Sequence, residues 1–338
     1  MRYIDIQNRR YLGNKYRLLQ FIRTLADTYC PEIESVCDLF AGTGTVSAAF
    51  IDKALITNDL LFCNYVCHIA WFTPENYDMR KIEAYINEFN RVQITTDNYM
   101  SDTFADTYFS LADCRKIGFI RERIQELYDA GNLTVREWAL LITALLYGMD
   151  KIAVTCGHYD AFRKVSEFTK HLELATPRAR QRRDLNPNNK CYNFDANVLV
   201  REVSVDLLYL DPPYNSRQYG LNYHILENVA RWQKPVVRGV TRKMACDDVK
   251  SAYSTQSATQ AFEDLIKAAD ARYIMLSYNN MAEKGSPASQ ATMSDADILR
   301  ILGAKGSVQV FTEQYRAFSA GRSDIQGNEE RVFLCAVR

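Results

Sequence analysis

The residues of this chain with the clearest chemical meaning are the four at positions 211–214, Asp-Pro-Pro-Tyr. They follow an apolar run at 205–210, which predicts a buried strand because it is short, rich in branched and aromatic side chains, and ends at prolines. A carboxylate, a stiff backbone and an aromatic ring then lie at the carboxyl end of that strand, where ligands bind in open α/β sheets. The carboxylate and a backbone carbonyl could accept hydrogen bonds from an amine while the ring stacks on a planar base. A plain proline-rich turn is the alternative interpretation.

A second candidate site lies near the N-terminus. A buried strand at 35–40 is followed by Ala-Gly-Thr-Gly at 41–44, an apolar helix start, and a short strand at 54–57 that leads to Asp59. This is the βαβ layout of a nucleotide site, in which glycines permit close backbone approach and the acid bonds ribose hydroxyls. No third glycine follows, and Asp38 precedes the glycines in an Asp-x-Phe string. These differences favour a cofactor with an amino-acid moiety over a pyrophosphate, with Asp38 facing an ammonium group.

Charge and composition restrict the partners and the compartment. The 41 basic and 41 acidic residues cancel, so net charge alone does not indicate a nucleic-acid partner. Two basic runs, at 178–183 and 231–243, nevertheless favour phosphate contacts. No apolar stretch approaches the roughly 20 residues that cross a bilayer, and the N-terminus has no signal-peptide pattern. We therefore expect a cytoplasmic protein whose nine scattered cysteines are reduced, buried thiols rather than metal ligands.

The chain between the two candidate sites changes character. Residues 78–89 and 117–128 show helical apolar spacing, and 138–149 is a strongly apolar helix, whereas strand-like segments are scarce. This predicts a mostly helical insertion into an α/β sheet. After a loop at 184–189 the α/β pattern resumes. Its last predicted strands are 273–278 and an antiparallel pair, 308–315 and 331–337.

Taken together, these motifs resemble the amino-group DNA methyltransferases that use S-adenosylmethionine, in the group that includes the Dam adenine methyltransferases. The matching pieces come in the family's order: Tyr-Leu-Gly-Asn-Lys at 11–15, Asp-Leu-Phe-Ala-Gly-Thr-Gly at 38–44, Asp59, and Asp-Pro-Pro-Tyr at 211–214. Further strings are similar to adenine methyltransferases of type II restriction–modification systems, and they lie at 157–160, 211–219, 223–227 and 277–280.

The resemblance implies a fold and an activity. The fold is an α/β, Rossmann-like methyltransferase sheet, mostly parallel with an antiparallel C-terminal strand pair. Residues 1–72 and 188–338 would form the catalytic domain, and 73–187 a mostly helical target-recognition region. The enzyme would methylate the N6 amine of an adenine flipped out of double-stranded DNA. It would use no metal ion and bind no membrane. It would be a monomer or weak dimer that shares its target sequence with a restriction endonuclease without binding it stably.

The resemblance also implies residue roles. The target amine is a poor nucleophile because its lone pair is delocalised, so acceptors at Asp211 and the Pro212 carbonyl would favour a pyramidal nitrogen. Lys15 would bind the cofactor carboxylate, and residues 195–196 its adenine, with an Asx turn after a loop as the alternative interpretation of Asp195. The catalytic residues are Asp211, Pro212, Pro213 and Tyr214. The cofactor contacts are Tyr11, Lys15, Asp38, Phe40, Gly42, Gly44, Asp59, Leu60, Asp195, Ala196 and Asp211. The DNA contacts are His158, Tyr159, Arg178, Arg180, Arg182, Arg183, Arg217 and Gln218. The first two of these could instead shape the target pocket or be core residues of the insertion.

Three alternatives stay open at this point. Some ribosomal RNA amino-methyltransferases, acting on adenine or guanine, also carry Asp-Pro-Pro-Tyr, and the motif alone separates cytosine N4 from adenine N6 poorly. An inactive, cofactor-binding subunit is disfavoured because every catalytic position is filled. The DNA sequence that is recognised cannot be read from these residues.

Overall fold

The computed structural model of this protein describes residues 2–214, 216–279, 293–314 and 329–338. Asn280 and Tyr315, which end two of the strings above, lie outside these ranges. The strands are β1 (Tyr3–Ile4), β2 (Ser35–Asp38), β3 (Ala54–Asn58), β4 (Thr176–Pro177), β5 (Lys190–Tyr192), β6 (Ser204–Leu210), β7 (Asp270–Asn279), β8 (Gly306–Gln314) and β9 (Glu329–Val337). The helices are α1 (Leu19–Tyr29), α2 (Thr45–Ala49), α3 (Phe62–Phe72), α4 (Met79–Arg91), α5 (Tyr99–Phe104), α6 (Leu111–Asp129), α7 (Val135–Ile152), α8 (Ala196–Leu199), α9 (Tyr219–Asn222), α10 (His224–Arg231), α11 (Ala258–Ala268) and α12 (Asp295–Lys305).

The chain forms two compact units, each built from separated segments. The sheet unit comprises Lys15–Leu60, Asn188–Tyr219 and Val249–Arg338. The helical unit comprises Met1–Asn14, Leu61–Pro187 and Gly220–Asp248. None of the helices in the described ranges is long and apolar enough to cross a membrane.

The sheet unit contains a seven-stranded sheet in the order β5-β3-β2-β6-β7-β9-β8. The first five of these strands are parallel, and β9 runs antiparallel to both of its neighbours. The predicted fold class, a mostly parallel sheet with an antiparallel C-terminal pair, is therefore confirmed. Because β2 and β6 are hydrogen-bonded neighbours, Asp38 is paired with Tyr209, two residues before Asp211.

Strand β6 is central, and its sequence explains why. Four consecutive residues, 207–210, are almost completely buried, as expected for a strand covered on both faces. Leu208 and Leu210 pack in one apolar cluster with Phe262 of α11, Ile274 of β7 and Ile298 of α12. The rigid end of β6 fixes the point at which the segment 211–214 begins.

The helical unit is organised around α7, which is buried along nearly its whole length. A capping box starts this helix, since the Thr134 hydroxyl accepts from the Glu137 N–H and the Glu137 carboxylate accepts from the Thr134 N–H. Helices α3 and α10 pack with α7 in this unit, although both lie outside the region predicted as the insertion at 73–187. The helices α3 and α10 bury apolar side chains against α7. The order of these helices in the sequence does not reveal that packing. The functional division at 73 and 187 stays a prediction.

All nine cysteines are free, as predicted. Seven are buried, but Cys156 is exposed in the loop after α7, so the expectation of a buried thiol was wrong at that position. Its neighbours along the loop are polar or small, so solvent reaches the thiol.

Candidate active site

The catalytic string begins where β6 ends, at the carboxyl edge of the parallel strands. The carboxylate of Asp211 is only 17% exposed, and the Lys15 ammonium lies 2.9 Å from its Oδ1 atom. Pro212 is buried and Pro213 half-buried, which holds the following backbone against the sheet. Burial raises the pKa of Asp211 to about 6, while the charge of Lys15 opposes that rise. Near neutral pH the group is therefore mostly ionised and able to accept hydrogen bonds.

Tyr214 is placed beside this carboxylate by two aromatic contacts. The Tyr214 ring meets the Tyr278 ring edge-on, with the two ring centroids 6.0 Å apart. The Lys15 Nζ lies 5.2 Å from the centroid of the Tyr214 ring. The ring is half-buried, so part of it is available to another planar group. The sheet unit thus brings together the acceptor and the aromatic ring that the sequence paired.

The glycine loop follows β2 and leads into α2. Gly42 and Gly44 have φ values of 55° and 78°, a conformation that favours glycine, and this permits the tight turn after Asp38. The Gly42 N–H donates to Asp59 Oδ2 at 2.8 Å, so the acid predicted for the ribose braces the loop. Phe40, in the same turn, packs edge-on against Tyr253 at 5.0 Å between centroids. Three predicted cofactor residues therefore form one local structure.

Asp38 is buried at the base of this loop. Its Oδ2 atom accepts from the Ser47 N–H at 3.1 Å and from the Ser47 hydroxyl at 2.7 Å. Its Oδ1 atom is buried without a hydrogen-bond partner among the described residues. Burial raises the pKa of Asp38 to about 7, and the charge of Asp211 adds to the rise while Ser47 opposes it. A buried, unsatisfied carboxylate oxygen is a place where a cationic donor is stabilising.

The segment 193–196 lies against the end of β3 through an asparagine pair that sequence reasoning missed. Asn58 Nδ2 donates to the carbonyls of Leu39 and Phe194, and its Oδ1 accepts from the Phe194 N–H. Asn193 Nδ2 donates to the carbonyls of Asp59 and Leu60. These bonds tie three predicted cofactor segments together, and only the unusual density of asparagines at strand ends could have indicated them.

Asp195 is exposed and caps α8, because its Oδ1 accepts from the Asn197 N–H at 2.9 Å. Ala196 is the buried first residue of that helix. This is the Asx geometry that the sequence analysis gave as the alternative. The contact with the cofactor adenine stays a prediction.

Residues 11–285 match the family of D12 class N6 adenine-specific DNA methyltransferases, a span that includes every predicted catalytic and cofactor residue. The chain belongs to that family.

Proteins similar to this chain include modification methylases and a type II methyltransferase. Modification methylase StsI of Streptococcus sanguinis is 32% identical over 95% of this chain and 50% of its own length. Modification methylase LlaI of Lactococcus lactis subsp. lactis is 29% identical over 96% and 53%. This chain therefore spans about half the length of these two relatives. Type II methyltransferase M.NlaIII of Neisseria lactamica is 30% identical over 93% of both chains.

D12 methyltransferases depend on S-adenosylmethionine, and the residues of the sheet unit fit that cofactor. The unsatisfied Oδ1 of Asp38 suits its ammonium group, and the glycine turn permits close backbone approach. Asp59 directly follows β3, and its bond to the ribose stays a prediction. Within the described ranges, no group of three or more His, Cys, Asp or Glu side chains is arranged to hold a metal ion.

Tyr11 belongs to the helical unit of this D12 chain. Its ring stacks on Tyr223 with centroids 4.6 Å apart and an angle of 12°. Asn64 Nδ2 donates to the Tyr11 hydroxyl, and the Leu12 N–H donates to the Tyr223 hydroxyl. These contacts fix the N-terminal cofactor motif. Its predicted role toward the cofactor stays a prediction.

The predicted DNA contacts divide into exposed and buried residues. Arg178, whose guanidinium lies 5.1 Å from the Tyr3 ring centroid, is exposed. Tyr159 is 2% exposed, and its hydroxyl donates to Asp150 Oδ1 at 2.8 Å. This burial favours the alternative that Tyr159 is a core residue of the helical unit. His158 is half-buried, and its Nδ1 accepts from the Asp160 N–H. The remaining arginines of the helical unit that were predicted to contact DNA are all exposed: Arg180, Arg182 and Arg183.

Arg217 and Gln218 follow the catalytic string in the sheet unit. Arg217 is exposed. Both ends of the Gln218 amide bond the backbone of Ser251, at 3.1 and 2.8 Å, which holds the segment after Tyr214. Direct DNA contacts of these two residues stay predictions.

Proposed function

We propose that this chain transfers the methyl group of S-adenosylmethionine to the N6 amine of an adenine in double-stranded DNA, as the modification enzyme of a restriction–modification system. Family membership supports the chemistry, and the type II relatives support the biological setting. The observation that carries the proposal is the carboxylate of Asp211, held by a buried lysine at the end of a central parallel strand. A DNA substrate places the chain in the cell compartment that holds the DNA.

The chain's own residues act on the amine. Asp211 and the Pro212 carbonyl accept its two N–H groups, which localises the nitrogen lone pair and directs it at an incoming methyl group. The cofactor, when bound, supplies that methyl group activated on a sulfonium centre. Asp211 must be ionised to accept, and its pKa of about 6 satisfies this at neutral pH. Positioning of amine and methyl in line then contributes much of the rate.

The cofactor is held by groups that the structure already orients. Asp38 binds the ammonium group, and the loop at 42–44 permits approach of the methionine part. Asp59 bonds the ribose hydroxyls while it braces the loop through Gly42. Since one carboxylate performs both tasks, ribose binding and loop conformation are coupled.

The DNA is bound by charge and by stacking. Tyr214 stacks on the adenine after it leaves the duplex, which offsets an extrusion cost of a few kcal/mol. The exposed arginines at 178–183 neutralise phosphates. A cognate endonuclease reads the same sequence independently, and the enzyme needs no stable contact with it.

Transfer of tritiated methyl groups to plasmid DNA tests the proposal. Wild type should label duplex DNA, and Asp211→Asn should lose at least about 100-fold in rate while still binding cofactor. The matched control is Asp270→Asn, an exposed carboxylate at the amino end of β7, which should keep full activity. Labelling of RNA alone, or of cytosine in sequenced product DNA, would refute the proposal, and the sequencing also reads the target site.

A further inference from the structure

Glu330 on β9 is an unexpected neighbour of the catalytic carboxylate. The Lys15 Nζ lies 2.9 Å from Asp211 Oδ1 and 3.1 Å from Glu330 Oε1, so one ammonium group bridges two carboxylates. Lys15 is 4% exposed and the Glu330 side chain 6% exposed. Strand β9 brings Glu330 to this place because it pairs with β7, where Glu330 lies opposite Asn279.

We propose that Glu330 is a positioning residue for methyl transfer, which fixes Lys15 and thereby keeps Asp211 free to accept the amine. This inference rests on the proposed function and deepens it. One carboxylate already neutralises a buried ammonium group. The second buried carboxylate adds a desolvation cost that charge balance does not explain. We assign to Glu330 the role of sharing the hydrogen bonds of Lys15 with Asp211.

The chemistry depends on that division. If Lys15 donated only to Asp211, its positive charge would withdraw electron density from the carboxylate and weaken its bonds to the target amine. Glu330 takes part of the ammonium's charge and hydrogen bonding, so Asp211 remains a stronger acceptor. The geometry agrees with the electrostatics, since burial and Glu330 raise the pKa of Asp211 while Lys15 lowers it. Among the described residues, Asp211 interacts electrostatically with Lys15, Glu330, Asp38 and Tyr209. Tyr214 acts on Lys15.

The test is Glu330→Gln, which keeps the shape and removes the charge. We expect kcat to fall by about tenfold or more, with the dissociation constant for S-adenosylmethionine changed less than about twofold. Removal of a negative charge lowers the pKa of Asp211, so the acid limb of the kcat profile should move to lower pH. A merely structural residue would not move that limb. Glu313→Gln is the matched control, since Glu313 is exposed on β8 directly opposite Glu330, and it should leave rate and profile unchanged.

A second readout separates this proposal from the proposed function. The carboxyl carbon of Asp211, labelled with carbon-13 and assigned with Asp211→Asn, can be titrated by NMR without cofactor or DNA. A lower Asp211 pKa in Glu330→Gln supports the bridge even if wild type methylates no DNA, an outcome that would refute only the proposed function. An unchanged titration and an unchanged acid limb in the folded variant would overturn the inference. If Glu330→Gln does not fold, Glu330→Asp takes its place, because it keeps the charge and shortens the reach. Glu330→Asp should lower kcat and shift the acid limb of the kcat profile less than the shift expected for Glu330→Gln. Wild-type kinetics in Glu330→Asp would overturn the inference.

Discussion

The protonation state of Asp38 should control cofactor affinity near neutral pH. Its Oδ1 atom has no partner among the described residues, and burial raises its pKa to about 7 in the free protein. An ammonium group bound at Oδ1 favours the ionised carboxylate. Binding therefore releases a proton from Asp38 whenever the pH lies below this pKa, and affinity must fall as the pH decreases.

The size of the effect follows from that pKa. Between pH 7.5 and pH 6.0, the ionised fraction of Asp38 falls from about three-quarters to about one-tenth, so the apparent dissociation constant should rise about eightfold. The α-amino group of the cofactor has an ordinary pKa of about 8 and stays mostly protonated across this window. Loss of the charge-assisted bond in Asp38→Asn should weaken binding at pH 7.5 by about 10-fold to 100-fold.

Calorimetric titration of cofactor into wild type and Asp38→Asn, at several pH values and constant ionic strength, measures both quantities. The variant should give a flat pH profile. Ser47→Ala supplies a test of sign, because the Ser47 hydroxyl lowers the pKa of Asp38 and its removal should move the wild-type profile to higher pH. A flat wild-type profile, or equal affinity in Asp38→Asn, would refute the reasoning.

Three further predictions concern stability and DNA binding. A Cβ atom at Gly118 in α6 would lie 2.1 Å from the side chain that caps α5, so Gly118→Ala should destabilise the fold by about 1–2 kcal/mol in urea unfolding. Gly303→Ala in α12 meets no atom within 4 Å and should be neutral or stabilising, and equal effects at both sites would contradict this. Burial lowers the pKa of His224 to about 4, so the unfolded chain binds more protons at this position below pH 6.5, and His224 should cost about 1 kcal/mol of stability between pH 7.5 and 5.5. The change in stability over this window should be less favourable in wild type than in His224→Gln by that amount, and an equal change in both would refute the assignment. Replacing Arg182 and Arg183 by Gln should reduce the salt slope of DNA binding by about 1–2, measured by fluorescence anisotropy, and an unchanged slope would place the phosphate contacts elsewhere.

The local geometry of the segments predicted to bind the cofactor follows from the sequence, whereas their contacts with the cofactor stay a prediction. Asp38 and Asp211 both end apolar strand patterns, and parallel strands bring their carboxyl ends to one edge, so their proximity follows from the strand pattern. The glycine turn was equally readable, since its backbone conformation depends on residue type at Gly42 and Gly44. Local sequence and three-dimensional structure agree at these positions because each conformation depends on residues that are close together in the sequence.

Long-range side-chain contacts could not be predicted in the same way. Glu330 is 315 positions from Lys15, and nothing in its local sequence separates it from an ordinary strand glutamate. The family resemblance implies a DNA contact for Tyr159, but its side chain is buried and its hydroxyl donates to Asp150, a partner that the local sequence does not reveal. The grouping of α3 with α7 was likewise decided by complementary apolar surfaces, which a linear pattern does not specify.

The order of strands in the sheet has a consequence for synthesis of the chain on the ribosome. Strand β9 is made after β7 and β8, yet it lies between them in the sheet. A nascent or prematurely terminated chain that ends before residue 329 would leave β8 without its neighbour and expose the hydrogen-bonding edge of β7, and such open edges promote aggregation. The same chain would also lack the carboxylate of Glu330. Translation of β9 should therefore join β7 to β8 and complete the charge arrangement at Asp211 in a single event, so that under the proposed function a chain that stops before β9 would not methylate DNA.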